Sequence, residues 1–196
     1  MHRAVNDEAL DILFREARTQ NKWQDKPVST ALLMAVYDLM RLGPTSANIS
    51  PARIAFVVSD AAKKRLEPFL SEGNRAKTMS APATAIIAYD LEFARHVPKL
   101  FPHAPGAKDW FADPKVAEVA AFRNGTLQGA YFIMAARALG LDCGPMSGFD
   151  NAGVDAEFFA GTRIESNFIC SIGYGTEENL FARSPRLAFE EAGRIV

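Results

Sequence analysis

PKVAEVAAFRNGTLQGAYFIMAARALG, residues 114–140, is the longest helix pattern in the chain, and its reading decides the architecture. Pro114 suits a first helical position, where a missing N–H costs nothing, and Gly140 is the residue type on which helices stop. The pattern runs about 25 residues, to Leu139, and its middle, Ala130 to Ala136, is apolar nearly all the way round. A helix of that character must be buried on most sides.

The segments on either side supply what buries it. Upstream, Thr84 to Tyr89 is an apolar run without alternation, which predicts a strand covered on both faces, and Ile54 to Val58 is a second short β-branched run. Downstream, Asn167 to Ile172 reads as a further strand ending in Gly173-Tyr174-Gly175, after a short helix over 152–159. Near the start, Asn6 can cap a helix bearing Leu10, Leu13, Phe14 and Ala17, and Ser29 can cap another bearing Leu32, Leu33, Val36, Leu39 and Met40, which Gly43-Pro44 stops. Residues 61–70 look helical despite Pro68. Leu141 to Phe149 reads as a glycine-punctuated turn, and the tail 181–196 holds a brief helical pattern. The stretch 91–113 is too rich in proline for one element and too aromatic for a solvated linker, with Phe93, Phe101, Trp110 and Phe111. Helices outnumber three or four strands. The expected class is α+β, an α/β sandwich around one small central sheet, formed as a single domain over residues 1–196.

Composition narrows the function. With 22 basic and 23 acidic residues the net charge is −1, so no global field draws nucleic acid or anionic lipid. No apolar run approaches a membrane span, and the first eight residues carry no signal-peptide core, so a cytoplasmic protein is expected. Cys143 and Cys170 have neither metal spacing nor a CxxC and read as buried small hydrophobes. His2, His96 and His103 form no HExxH or H-x-E pattern, and no GxSxG, P-loop or GxGxxG occurs, so no metal is expected. A chain without an evident acid, base or nucleophile is compatible with an enzyme whose chemistry belongs to a bound cofactor.

Three polar clusters fit a phosphorylated ligand. Arg18-Thr19-Gln20-Asn21 offers a guanidinium fork suited to phosphate. Gly43 to Pro51 is dense in hydroxyl and amide groups, and Gly144-Pro145-Met146-Ser147-Gly148 is small enough for backbone N–H groups to approach a ligand. Taken singly each has an ordinary explanation: an exposed helix end, a helix stop and turn, a loop.

Taken together and in order, these clusters, with Asn74, Lys77, the helix containing Gln128, and Arg183, resemble the successive signatures of the FMN-dependent nitroreductase family from about residue 10 to residue 190. Gly43 to Asn48, Ser50-Pro51-Ala52-Arg53 and Gly144 to Asp150 are similar to the branch containing the malonic semialdehyde reductase of the bacterial Rut pathway of pyrimidine breakdown. The resemblance implies an intertwined homodimer with two FMN sites, each built from both chains. Arg18 and Arg183 would hold the phosphate, with Thr19 and Asn21 near the ribityl chain and pyrimidine edge. Asn74 and Lys77 would address the polar edge of the ring. Pro44, Thr45, Ser46 and Asn48 would come from the partner subunit. The backbone near Pro145, Met146, Ser147 and Gly148 would meet flavin N5, and Gln128 belongs to the same cofactor-binding set.

Two departures stand out. Many relatives carry a cation where this chain has Asn21, which Lys77 would have to replace in stabilising the reduced ring. Many also carry a basic residue where this chain has Phe181, and no such role is transferred to Arg186. The implied activity is a ping-pong reduction in which NADH or NADPH and then a small substrate use one pocket. Malonic semialdehyde would give 3-hydroxypropanoate, and its carboxylate would need a cation: Arg53, Arg95, Lys99 and Arg123 qualify by charge alone. The aromatic stretch around Phe101, Trp110 and Phe111 could cover the flavin, or only extend the core or dimer interface. Reduction of nitroaromatics or quinones, a flavin-binding module without turnover, and a structural protein without cofactor remain the rival expectations.

Overall fold

The computed structural model describes residues 3–178 and 180–196, so Met1 and His2, read above, lie outside it. Four strands, β1 (Ala52–Val57), β2 (Ala83–Asp90), β3 (Asp142–Met146) and β4 (Ile164–Gly173), form one sheet in the order β1-β2-β4-β3. Every neighbouring pair is antiparallel: Ala55 faces Ile86, Ile86 faces Ile169, and Gly144 faces Ser171. All of β2 is buried, which is why its sequence lacks polar alternation. Its residues still divide by face. Ala83, Ala85 and Ile87 join one core cluster and Ile86 another, as the two-residue period of a strand requires.

Helices cover both faces: α1 (Asp7–Leu10), α2 (Thr30–Met40), α3 (Asp60–Leu66), α4 (Glu72–Met79), α5 (Val97–Leu100), α6 (Pro114–Ala138), α7 (Asn151–Phe158) and α8 (Phe189–Ala192). On one face α2 and α6 set Val36, Met40, Phe132 and Ala136 against Ala85, Ile87, Cys143 and Cys170. On the other, Leu66 of α3 and Val154 of α7 pack with Met146 on Ile86 and Ile169. The expected α+β arrangement with helices on a small sheet is what the chain adopts, and both cysteines are buried and free. Among the described residues no helix is long and apolar enough to cross a membrane.

The caps read from sequence are present. Ala9 N donates to Asn6 Oδ1 at 3.0 Å and Leu32 N to Ser29 Oγ at 3.2 Å. The stretch 91–113 breaks into short helical turns whose Phe93, Val97 and Ala107 form a third cluster with Ala117 and Ala121 at the start of α6. It is a packed lobe on the N-terminal half of α6.

Two expectations need correction, and one helix has no counterpart in the sequence reading. The first helix is regular only over Asp7–Leu10 and widens to a π turn over Asp11–Arg15, which leaves Phe14 exposed. The supposed turn at 141–149 contains β3; Pro145 fits because this strand lies at the sheet's margin, where a missing ladder donor is tolerated. Residues 72–79 form α4, with Glu72 in its first turn and Lys77 in its last, a short polar helix without the apolar stripe that would have announced it.

Candidate functional site

Beyond the outer edge of β3 runs the segment 18–21. Thr19 makes an isolated parallel bridge to Cys143, and Gln20 N donates to Cys143 O at 3.0 Å. This local extension buries Gln20 and turns Thr19 and Asn21 outward. Gly144 makes the approach possible, because a Cβ there would sit 2.6 Å from the Gln20 carbonyl oxygen. At the far end of the strand a Cβ on Gly148 would sit 2.7 Å from Asn74 Nδ2, which donates to Gly148 O at 2.9 Å. Both glycines are thus required by the protein's own neighbours, whereas the sequence suggested room for a ligand.

Arg18, Thr19 and Asn21 line a cavity of about 540 Å³ together with Arg137, Arg183 and Arg186. Among the described residues four guanidinium groups line it and no carboxylate does. Three are held in place from behind. Arg183 Nη2 donates to the carbonyls of Phe14, Arg15 and Ala17 at the open end of the first helix; Arg137 Nη1 donates to Leu13 O at 2.9 Å; Arg186 Nη1 donates to Ser184 O at 2.8 Å. Each anchor occupies one nitrogen of a group with five N–H donors, so the remaining donors are available in a fixed orientation. Such a set suits a dianion of tetrahedral oxygens.

Asn21 and Phe181 also line the adjoining cavity of about 690 Å³, whose wall includes Gly73, Ala76 and Lys77 of α4. A continuous groove therefore leads from the arginines to Lys77. Trp23 Nε1 donates to Lys77 O at 3.0 Å and holds this turn of α4 against the 18–23 segment. Partial burial pushes the Lys77 ammonium below its ordinary pKa, a cost that an anionic or carbonyl-rich ligand edge would offset. Asn74 lies one turn before Lys77 and ties the 146–148 segment to the same helix; exposed Ser147 stands between Met146 and Gly148 at that junction.

The other predicted residues lie elsewhere. Ser46 N donates to Asn124 Oδ1 at 2.9 Å, Asn48 Nδ2 to Leu100 O at 2.8 Å, and Tyr131 Oη to Pro44 O at 3.0 Å, while Thr45 Oγ1 accepts from Ser50 N. Asn124 precedes Arg137 by thirteen residues of α6, about 20 Å along its axis. Neither cavity of the groove is lined by residues 44–48. Gln128 is buried, and its Oε1 accepts from Ala52 N at 2.8 Å, tying α6 to β1. Pro44, Thr45, Ser46, Asn48 and Gln128 thus form a second group, apart from the first within one chain.

This second group is unusual in its backbone. Ala47, Asn48 and Ser50 have φ of 46°, 51° and 40°, left-handed values that L residues avoid at roughly 1–2 kcal/mol each, on either side of a right-handed Ile49. Strain at three of the four residues 47–50 points to a surface whose shape has a use. Arg137 and Arg186 also line the candidate site; sequence reasoning did not single out Arg137 and transferred no role to Arg186. Arg137 sits at the end of the long helix like any C-terminal cation, and only the docking of the first helix turns it toward Arg18. Among the described residues no group of three or more His, Cys, Asp or Glu side chains could hold a metal ion.

The profile described as Nitroreductase family matches residues 14–175. A protein of Caulobacter sp. (strain K31), named "Putative NADH dehydrogenase/NAD(P)H nitroreductase", is 62% identical over 188 residues, 96% of each chain. Among solved structures, a "putative nitroreductase in complex with FMN" from Exiguobacterium sibiricum 255-15 superposes with a TM-score of 0.87 at 16% identity, covering 100% of this chain and 99% of that one. A "putative NAD(P)H:FMN oxidoreductase" from Staphylococcus epidermidis ATCC 12228 gives 0.83 at 17% identity, covering 100% and 98%.

Proposed function

The chain belongs to the nitroreductase family, and from that premise we propose that it is an FMN-dependent oxidoreductase that takes electrons from NADH or NADPH. The observation that carries the reading is the groove of four guanidinium groups without a carboxylate, continuous through Asn21 with Lys77. A phosphate dianion answers the arginines, and a polar heteroaromatic edge answers the lysine. When bound, FMN supplies the two-electron chemistry, passing a hydride from the nicotinamide to an electrophile.

The chain's own residues bind and orient. Arg18 and Arg183, with Arg137 and Arg186, would hold the phosphate; Thr19 and Asn21 would follow the ribityl chain; Asn74 positions the 146–148 segment. Lys77 would face the ring edge that gains negative charge on reduction, the place where Asn21 alone is a weaker donor.

The active unit is a homodimer with sites built from both copies. Residues 44–48 have a shaped, strained surface and line neither cavity of the arginine–Lys77 groove of their own chain. A large apolar area also asks for cover: Met34, Tyr37, Leu39 and Leu42 on and after α2, Val116, Val119, Phe122 and Leu127 on α6, and Phe181, Leu187 and Phe189 in the tail are exposed.

For the substrate we favour malonic semialdehyde. The aldehyde carbon accepts hydride, the oxygen accepts a proton from water, and 3-hydroxypropanoate is formed as NAD(P)H becomes NAD(P)+. The name of the 62%-identical relative favours a second reading, reduction of nitro groups. One experiment orders the two. Holoenzyme is reduced anaerobically with NADPH, and kcat/KM is then compared for malonic semialdehyde and a nitrofuran. The first reading predicts the larger value for the aldehyde; a many-fold preference for the nitrofuran retires it. Protein that neither binds FMN nor bleaches with NADPH removes the enzyme assignment altogether.

A further inference from the structure

A second cationic cavity lies where the strained 47–50 segment meets the aromatic lobe. It measures about 470 Å³ and is walled by Tyr37 of α2, Ser50, Ile54 and Phe56 of β1, and His96 and Lys99 of the lobe. Among the described residues no carboxylate lines it. We propose that this cavity is a subsite for the carboxylate of a small anionic electrophile, with the Lys99 ammonium as its charged donor and the His96 Nδ1–H and the Ser50 and Tyr37 hydroxyls as neutral ones. The inference rests on the reading of the chain as a reductase of small electrophiles and assigns its substrates a class, those carrying a carboxylate.

The other cations nearby are already engaged or face elsewhere. Arg53 also lines the cavity, but its Nη2 is bonded to the buried Asp90 carboxylate at 2.6 Å and its Nη1 to the carbonyls of Ser50, Pro51 and Ala52. It is a brace for the loop. Arg95 gives Nη2 to the same carboxylate, Nη1 to Glu92 and Nε to His96 Nε2, so every nitrogen has a partner. Arg123 faces a different, apolar cavity that also contains Glu118. Lys99 alone lines this space with no ion pair among the described residues. Beside it Arg53 and Arg95 are balanced by the carboxylates of Asp90 and Glu92, so the charge of Lys99 is the one left uncompensated here among the described residues.

His96 adds a directional donor. Its Nε2 accepts from Arg95 Nε at 3.3 Å, which places the proton of the neutral imidazole on Nδ1. Burial first, then the charges of Arg53, Arg95 and Lys99, hold its pKa below the ordinary value, so neutral pH leaves it uncharged and donating. Asn48 ties the cavity to the proposed flavin site: its side chain bonds Leu100 O in the cavity wall, and it belongs to the segment proposed to meet the neighbouring subunit's flavin. Ile54 and Phe56 form an apolar floor that would exclude water from the anion and strengthen its pairing with Lys99.

The test titrates flavin-loaded protein with malonate, an unreactive dicarboxylate, while the imidazole resonances of His96 are followed by NMR, assigned with an H96Q sample. Malonate is expected to shift them saturably, whereas malonamide, and sodium chloride at matched ionic strength, leave them in place. In K99M the malonate affinity should fall roughly tenfold, the worth of one charge-assisted hydrogen bond. Chloride acting like malonate, or K99M titrating like the parent, would overturn the assignment. The two readings fail separately: malonate bound at His96 and Lys99 in a protein that never reduces malonic semialdehyde keeps the subsite and removes that substrate. Turnover of the aldehyde with no malonate response at His96 does the reverse.

Discussion

A guanidinium fixed through one nitrogen is already oriented when its ligand arrives, so little side-chain freedom is lost on binding. Arg137 is in that position, and the substitution Arg137→Met should lower FMN affinity about 10- to 100-fold, the range for hydrogen bonds to a charged group. Riboflavin, which has no phosphate, should bind the variant and the parent alike; fluorescence titration with both flavins separates a phosphate contact from a merely structural one. Equal losses for the two would mean that Arg137 only holds Leu13. His96 supports a prediction about pH. Its folded pKa is depressed, so between the unfolded value of about 6.5 and the lower folded value the unfolded chain binds the proton more readily. Stability therefore falls as pH drops through that window, and the full penalty is present below the folded pKa. Melting curves between pH 7.5 and 5.5 should fall more steeply for the parent than for H96Q; identical slopes would show that His96 is not the group responsible.

Elements fix what these residues can do. The joint between β3 and α4 depends on one missing side chain: in Gly148→Ala the new Cβ would press on Asn74 Nδ2, and relieving it should cost about 1–3 kcal/mol, as overpacking usually does. At roughly 2–4 °C per kcal/mol for a chain of this size, thermal unfolding shows it, with loss of flavin affinity if 146–148 positions the ring. An unchanged melting temperature would mean that Asn74 can step aside freely. Much at this scale was legible beforehand. The apolar run of β2, the caps at Asn6 and Ser29 and the length of α6 follow from period and capping chemistry. What escaped did so for physical reasons. β3 is short, contains Gly144 and Pro145, and looks like a turn until β4 and residues 18–20 are laid beside it. α4 has no apolar stripe because it lies over the groove, with Lys77 on its accessible side. The residue types of the site were readable; Arg137 was not, because tertiary docking brings it there from the other end of a long helix.

Across the whole molecule the proposed site residues fall into two sets that one chain does not unite. Arg18, Thr19, Asn21, Lys77 and Arg183 line the groove, with Asn74 beside it on α4, while residues 44–48 line neither of its cavities and Ser46 is held at Asn124, about 20 Å from Arg137 along the axis of α6. In the proposed homodimer a second copy brings the sets together around one phosphorylated flavin. Complementation measures this directly. R18E repels the phosphate in the groove, and S46W obstructs the exposed loop; each variant alone should bind almost no FMN. Co-expressed and purified as a mixed pair through two different tags, they retain one groove and one loop that are both intact and face each other. Flavin absorbance should then return to about one FMN for every two chains. A mixed pair as colourless as either parent variant would contradict a site shared between subunits.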